Sequence, residues 1–229
     1  MATILHIDVS AQNTDRSISR KLSACFLKTW LAERPSDTVI RRDIGQSPPG
    51  FVSAKWIEAC FTPEAERTPE LAEILKESDE LIGELEVADI VVLGSPMYNY
   101  GMPAALKAWV DSVIRIGKTF SFDLARGDYP LEPILGGKTL VALTSKGEFG
   151  FSPGGIREHM NYLDGHIEAV AHYLGLADRH FVHSEYQEFA DERHQRSRVD
   201  AEKATIELAK TLAESSHYDH PTPAATERS

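Results

Sequence analysis

Two nearly unbroken apolar runs most constrain what this chain can fold into: ADIVVLGS at residues 88–95 and KTLVALTS at residues 138–145. Both are far shorter than the roughly 20 residues of a membrane span, and both carry the β-branched residues that favour strands. A strand that is apolar on both faces must be covered on both, as in the centre of a parallel sheet. Three further segments read as strands: 3–9 (TILHIDV), 38–44 (TVIRRDI) and 179–185 (RHFVHSE). Between them the hydrophobic period changes. Ile18, Leu22, Phe26, Leu27, Trp30 and Leu31 fall at helical spacing over residues 18–33. Helices also read over 69–86, 103 to about 115, 157–174 and 190–214. Pro103 suits a first helical turn, and Gly175 suits a C-terminal cap. Residues 45–63 read as irregular.

Strands alternating with helices imply a doubly wound α/β domain with helices on both faces of a five-stranded parallel sheet. The strand count fits the flavodoxin-like order 2-1-3-4-5. The chain has 229 residues, which suits one such domain over 1–214. Residues 215–229 form a polar, Pro-containing tail expected to be disordered.

The net charge of −11 argues against non-specific nucleic-acid binding. It also means that any anionic ligand must be held by local groups. No basic, apolar leader opens the chain and no run reaches membrane-span length, so a cytoplasmic protein without membrane association is expected. Cys25 and Cys60 form no CxxC pair and read as reduced thiols. The nine histidines make no metal set: His166, Glu168 and His172 do not share a helix face, and His180 and His183 point to opposite faces of a strand. No metal is expected, and no side chain is identified as a catalytic nucleophile or proton donor.

In sheets of this kind ligands sit beyond the carboxyl ends of the strands, at the switch point. Three loops matter there. The first, SAQNTDRSIS at 10–19, lacks a GxGxxG. Ser10, Ser17 and Ser19, with the free amides of the helix start and Arg16, suit a phosphate group; the same pattern also reads as an N-cap and polar turn. The second, PMYNYG at 96–101, is a tight turn in which Met97 and Tyr98 could pack against a flat ring. The third, TSKGEFGFSPGG at 144–155, allows close approach of its backbone to a ligand, or is a mobile surface loop.

These three loops, in this order, resemble the FMN-dependent NADH-azoreductases within the flavodoxin-like NAD(P)H–quinone reductases. The sharpest match is PMYNYGMPAALKAWVDSVIRIGKTF, residues 96–120. The resemblance implies bound FMN, and NADH or NADPH as donor of a hydride. It implies two-electron ping-pong reduction of a quinone or aromatic azo compound, in a homodimer. It assigns the FMN phosphate to Ser10, Ser17, Ile18 and Ser19, the ring to Pro96, Met97, Tyr98, Asn99 and Tyr100, and the ring edge to Thr144, Ser145, Lys146 and Gly147. The chain departs from the family at Ile18, where glutamine is common, and at Lys146 and Glu148, where arginine and glycine are common. Residues 45–68 match least well. Phe51, Trp56, Phe61, Phe120 and Phe122 in loops suit either a subunit interface or a satellite core. A flavodoxin-type electron carrier without enzymatic activity is the alternative. A hydrolase reading lacks its metal cluster or activated nucleophile, and a response-regulator reading lacks the paired acids after the first strand, where only Asp8 stands.

Overall fold

The computed structural model describes residues 1–215 and Tyr218. The sheet strands are β1 (Thr3–Asp8), β2 (Thr38–Asp43), β3 (Ile90–Pro96), and the strands numbered here β6 (Lys138–Ser145) and β7 (Leu176–Ser184), because a short antiparallel hairpin of β4 (Phe120–Phe122) and β5 (Leu131–Pro133) precedes them. The sheet is parallel throughout, in the order β2-β1-β3-β6-β7. Counted within the sheet alone, this is the expected 2-1-3-4-5.

The apolar runs are continuous because successive side chains serve two different cores. Leu5, Val91, Leu93 and Leu140 enter one, against α3 (Pro69–Val87), α4 (Ala104–Val113) and α5 (Tyr162–Ala171). Their sequence neighbours Ile4, Ile90, Val92 and Val141 enter the other, against α1 (Ile18–Glu33) and α6 (Glu192–Ala213). α6 turns Ala201, Thr205, Ala209, Leu212 and Ala213 inward. These mostly small residues let it lie close to α1. Within that second core Trp30 is fully buried, and its indole N–H donates to Asp37 Oδ2 at 3.0 Å. Burial raises the Asp37 pKa, but bonds from Arg34, the Ala2 amide and Trp30 outweigh this and hold it below the usual carboxylate range. Tyr218 packs edge-on against Trp30, with ring centroids 5.4 Å apart. The rest of the tail, residues 216–217 and 219–229, lies outside the described residues.

Local differences from the sequence reading have local causes. Residues 45–63 are not wholly irregular: Ser53 accepts a bond from the Trp56 amide and starts a short helix, α2 (Ala54–Phe61). The surrounding Pro, Gly and Ser hide its eight-residue period. The helix expected from 157 begins at Tyr162, because Asn161 supplies the cap and Glu158–Met160 form only a 3₁₀ turn. The last strand starts three residues early, directly after Gly175. That glycine adopts a left-handed φ of 71° as the expected cap.

Gly45 and Gly94 hold the layers together at the site end. A Cβ on Gly94 would lie 2.9 Å from both Asp8 Oδ1 and Ser23 Oγ, so the missing side chain seats α1 on β3. A Cβ on Gly45 would overlap the Ser10 carbonyl. The loops after β1 and β2 therefore meet backbone to backbone. Gly45→Ala is expected to cost about 2 kcal/mol or more, at the upper range of overpacking penalties because the obstacle is main chain; a urea unfolding midpoint equal to wild type would contradict this packing.

Candidate functional site

Four loops at the carboxyl edge of the sheet enclose a cavity of about 140 Å³. The loop after β1 contributes Ser10, Gln12, Arg16, Ser17 and Ile18. The loop after β3 contributes Pro96, Met97 and Tyr98. The loop after β6 contributes Ser145 and Gly147, and the turn after β7 contributes Gln187 and Glu188.

The first loop is held from below by one buried guanidinium. Arg20, 4% exposed, donates to the Ser10 carbonyl through Nε at 3.2 Å and Nη2 at 2.6 Å. It also donates to both carboxylate oxygens of Asp43, at 2.8 and 2.6 Å, and lies 3.3 Å from Asp8. The Arg20 bonds keep the Asp43 carboxyl below its usual range. With Arg20 so engaged, Arg16 is the cation that lines the cavity. Ser17 caps α1, accepting from the Arg20 amide at 3.3 Å, and its hydroxyl lies 3.2 Å from that of Ser19. Amides in the first turn of a helix have no intrahelical acceptor. Those of Ile18 and Ser19 are therefore available beside these hydroxyls.

The second loop is a two-residue hairpin turn. Tyr98 and Gly101 exchange backbone bonds of 3.2 and 3.0 Å, and Asn99 and Tyr100 both take positive φ, 47° and 66°. Asparagine tolerates this region and tyrosine does so rarely. Tyr100 is fixed by its surroundings: its carbonyl accepts from the Tyr162 amide at 3.1 Å, and its phenol donates to Glu148 Oε2 at 2.8 Å. That bond raises the phenol pKa. The other Glu148 oxygen pairs with Arg157 at 2.9 Å. The carboxylate that departs from the family pattern thus ties the second loop to the third.

Behind the third loop lies a buried charged cluster. Lys146 is fully buried and donates to Asp164 Oδ2 at 2.7 Å. Asn161 donates to the same oxygen at 2.6 Å, and His183 Nε2 lies 3.5 Å from it. His183 Nδ1 is 2.8 Å from Thr144 Oγ1. Burial holds the His183 imidazole below its ordinary value, with Lys146 acting the same way and Asp164 opposing.

Of the residues assigned from sequence, Ser10, Ser17, Ile18, Pro96, Met97, Tyr98, Ser145 and Gly147 meet around the cavity. Ser19 is buried behind Ser17. Asn99 and Tyr100 stand in the exposed turn, and Thr144 and Lys146 point into the cluster beneath. The sequence reading missed Gln12, Gln187 and Glu188. The last two come from the loop after the fifth strand, which lies two strands from the switch point. They arrive because that turn folds back: the Gln187 and Glu188 amides donate to the Lys146 and Gly147 carbonyls at 3.3 and 2.9 Å. The signal available was the adjacency of the fourth and fifth strands in the expected order.

Comparison with known proteins agrees with this architecture. Residues 2–208 match the family model described as flavodoxin-like fold. The chain is 53% identical over 218 residues to a protein of Colwellia psychrerythraea named FMN-dependent NADH:quinone oxidoreductase 2, covering 93% of this chain and 100% of that one. It is 50% identical to a protein of the same name from Idiomarina loihiensis, covering 93% and 91%. Among solved structures, an azoreductase from Bacillus anthracis superposes with a TM-score of 0.82 at 21% identity, over 92% of this chain and all of the other. Another, a FMN-dependent NADH-azoreductase from the same species in complex with FMN, also gives 0.82, at 19% identity and over 93% and 100%. At that identity the likeness shows the fold.

The His183 environment predicts a pH effect on stability. The folded imidazole resists a proton that the unfolded chain accepts near 6.5. Its contribution is therefore intact above that pH and is lost as pH falls through it. His194, also lowered by burial, acts in the same direction. Urea unfolding between pH 7 and 5.5 should show stability falling with pH, with a shallower fall in His183→Gln; an unchanged slope in the variant would refute the assignment.

Proposed function

The chain belongs to the flavodoxin-like family of FMN-dependent NADH:quinone oxidoreductases, and from that premise we infer that it is an enzyme that draws two electrons from NADH and delivers them to a quinone through FMN held in the four-loop cavity. The observation that supports this most directly is the convergence of the hydroxyl-rich first loop, the Pro96–Met97–Tyr98 wall and the Ser145–Gly147 backbone on one cavity at the carboxyl edge. The donor set fits FMN. Ser10 and Ser17 hydroxyls, first-turn amides and Arg16 suit a phosphate dianion in a chain that is otherwise strongly acidic. The Gly147 amide has no acceptor among the described residues, and an unpaired N–H in a cavity suits a ring carbonyl or nitrogen.

Bound FMN supplies the redox chemistry itself. The chain's residues bind, orient and shape. Ser10, Ser17 and the Ile18 and Ser19 amides would hold the phosphate, with the buried Ser19 hydroxyl supporting Ser17. Pro96, Met97 and Tyr98 form a wall of the cavity that would face the ring. The Gly147 amide in the cavity, and that of Asn99 on the adjoining turn, would offer hydrogen bonds to a ring that gains negative charge on reduction. Thr144, Lys146 and Tyr100 act indirectly, by fixing the loops that carry these groups. Exposure of Tyr98 and Tyr100 at the rim, 40% and 38%, leaves the mouth open to a planar substrate, a quinone or an aromatic azo compound. An open mouth and relatives named as oxidoreductases favour an enzyme over a flavodoxin-type carrier.

We extend the proposal to a homodimer in the cytoplasm. Phe51 (76% exposed), Phe61 (72%), Leu124 (75%) and Tyr129 (86%) are apolar or aromatic groups that a second copy could cover. Of the loop aromatics noted in the sequence, Phe122 is also exposed, whereas Trp56 is partly covered and Phe120 packs on Tyr173. Cys25 and Cys60 are unpaired, as in a reducing compartment. Described residues include no helix long and apolar enough to cross a membrane.

Two measurements check these statements. Purified protein should be yellow, release FMN on heating and oxidise NADH in the presence of a quinone; a colourless protein that FMN cannot reconstitute rejects the reading, and a flavoprotein inert toward NADH supports the carrier instead. Sedimentation equilibrium should give twice the monomer mass of 25.4 kDa, and Phe51→Glu combined with Phe61→Glu should shift it toward monomer; a wild-type monomer at micromolar concentration would reject the dimer.

A further inference from the structure

One charged group in the cavity has no part in holding an anion. Glu188 lines it together with Ser145, Gly147 and Met97. Its backbone is tied to the third loop, while its side chain is exposed at the cavity edge. The Glu188 amide donates to the Gly147 carbonyl at 2.9 Å, and its side chain lies along the bare face of Gly147. A Cβ at Gly147 would stand 2.7 Å from Glu188 Cγ and 3.3 Å from Oε1. A side chain at 147 would push the Glu188 side chain away from this position. The other carboxylate of this region, Glu148, is consumed by Tyr100 and Arg157, whereas that of Glu188 accepts no hydrogen bond among the described residues. The opposite charge in the cavity is Arg16, on the loop assigned to the phosphate.

Resting on the FMN reading of this site, we propose that Glu188 is a charge-setting residue: its carboxylate, beside Gly147, disfavours the reduced form of the cofactor relative to the oxidised form and so lowers the reduction potential of the bound FMN. The physical basis is the charge balance. Uptake of two electrons and one proton adds one negative charge to the ring, and a carboxylate lining the same cavity opposes that charge, with solvent screening part of the effect. A lower potential weakens the driving force for reduction by NADH and strengthens that for handing electrons to the acceptor. Glu188 thereby divides the available free energy between the two halves of the cycle. It needs no contact with substrate, and it acts on either acceptor class alike.

The test is the midpoint potential of the holoprotein, measured by equilibration with reference dyes, beside FMN affinity from quenching of flavin fluorescence. Glu188→Gln keeps size and polarity and removes the charge. It should favour binding of reduced over oxidised FMN by about tenfold more than wild type, a positive shift of about 30 mV for a two-electron couple. Glu188→Asp keeps the charge and should stay close to wild type. A Glu188→Gln shift below a twofold change in that ratio, or an equal shift in Glu188→Asp, overturns the proposal while wild type still binds FMN. A wild-type protein that takes up no FMN overturns the reading of the site and this proposal with it.

Discussion

A parallel sheet can be connected only by crossovers, and when both of its faces are buried the helices of those crossovers must cover both. That constraint governs the rest of this molecule. It sends Leu5, Val91 and Leu140 to one core and Ile4, Ile90 and Val141 to the other, and it delivers the βα loops to one edge. Reversal of the winding direction between β1 and β3 then opens a crevice at that edge. The cavity arises from topology before any side chain within it is considered.

Two buried cations convert that crevice into a defined site. Arg20 binds the Ser10 carbonyl, Asp43 and Asp8, joining α1 to the ends of β1 and β2. Lys146 binds Asp164, which also receives Asn161 and faces His183, joining the end of β6 to α5 and β7. Buried ion pairs of this kind contribute little net stability, since desolvation offsets the attraction, but losing one partner leaves a costly unpaired charge. Their consequence here is geometric. Each holds a loop that touches the cavity while its own charge points away from it. Among the described residues the cavity therefore keeps only Arg16 and Glu188 as charged lining groups, and these sit on different loops.

Much of this was legible in the sequence because it depends on local pattern. The buried strands, the five-strand count, the Pro103 and Gly175 boundaries and the three loops follow from hydrophobic period and turn chemistry. The nine lining residues foreseen, Arg16 among them, come from loops at or next to the switch point. What stayed hidden depends on distant partners. Lys146 looks like a cation available to a ligand until Asp164, 18 residues on, is seen to hold it. Glu148 reads only as a departure from the family pattern until Tyr100 and Arg157 claim its two oxygens. α2 escaped notice because eight residues give barely two turns of period amid Pro and Gly.

The sequence by itself determined the architecture and the edge at which a ligand would sit, because alternation, winding and loop composition are properties of contiguous stretches. Only the tertiary structure decided which polar groups remain free there. Arg20 and Arg16 are four residues apart and chemically alike, yet one is spent beneath the loop and the other lines the cavity. Gln187 and Glu188 belong to a loop two strands away, and enter only because their amides meet the Lys146 and Gly147 carbonyls. Charge at a site is what remains after distant partners have been satisfied, and those partners become visible only when the chain is folded.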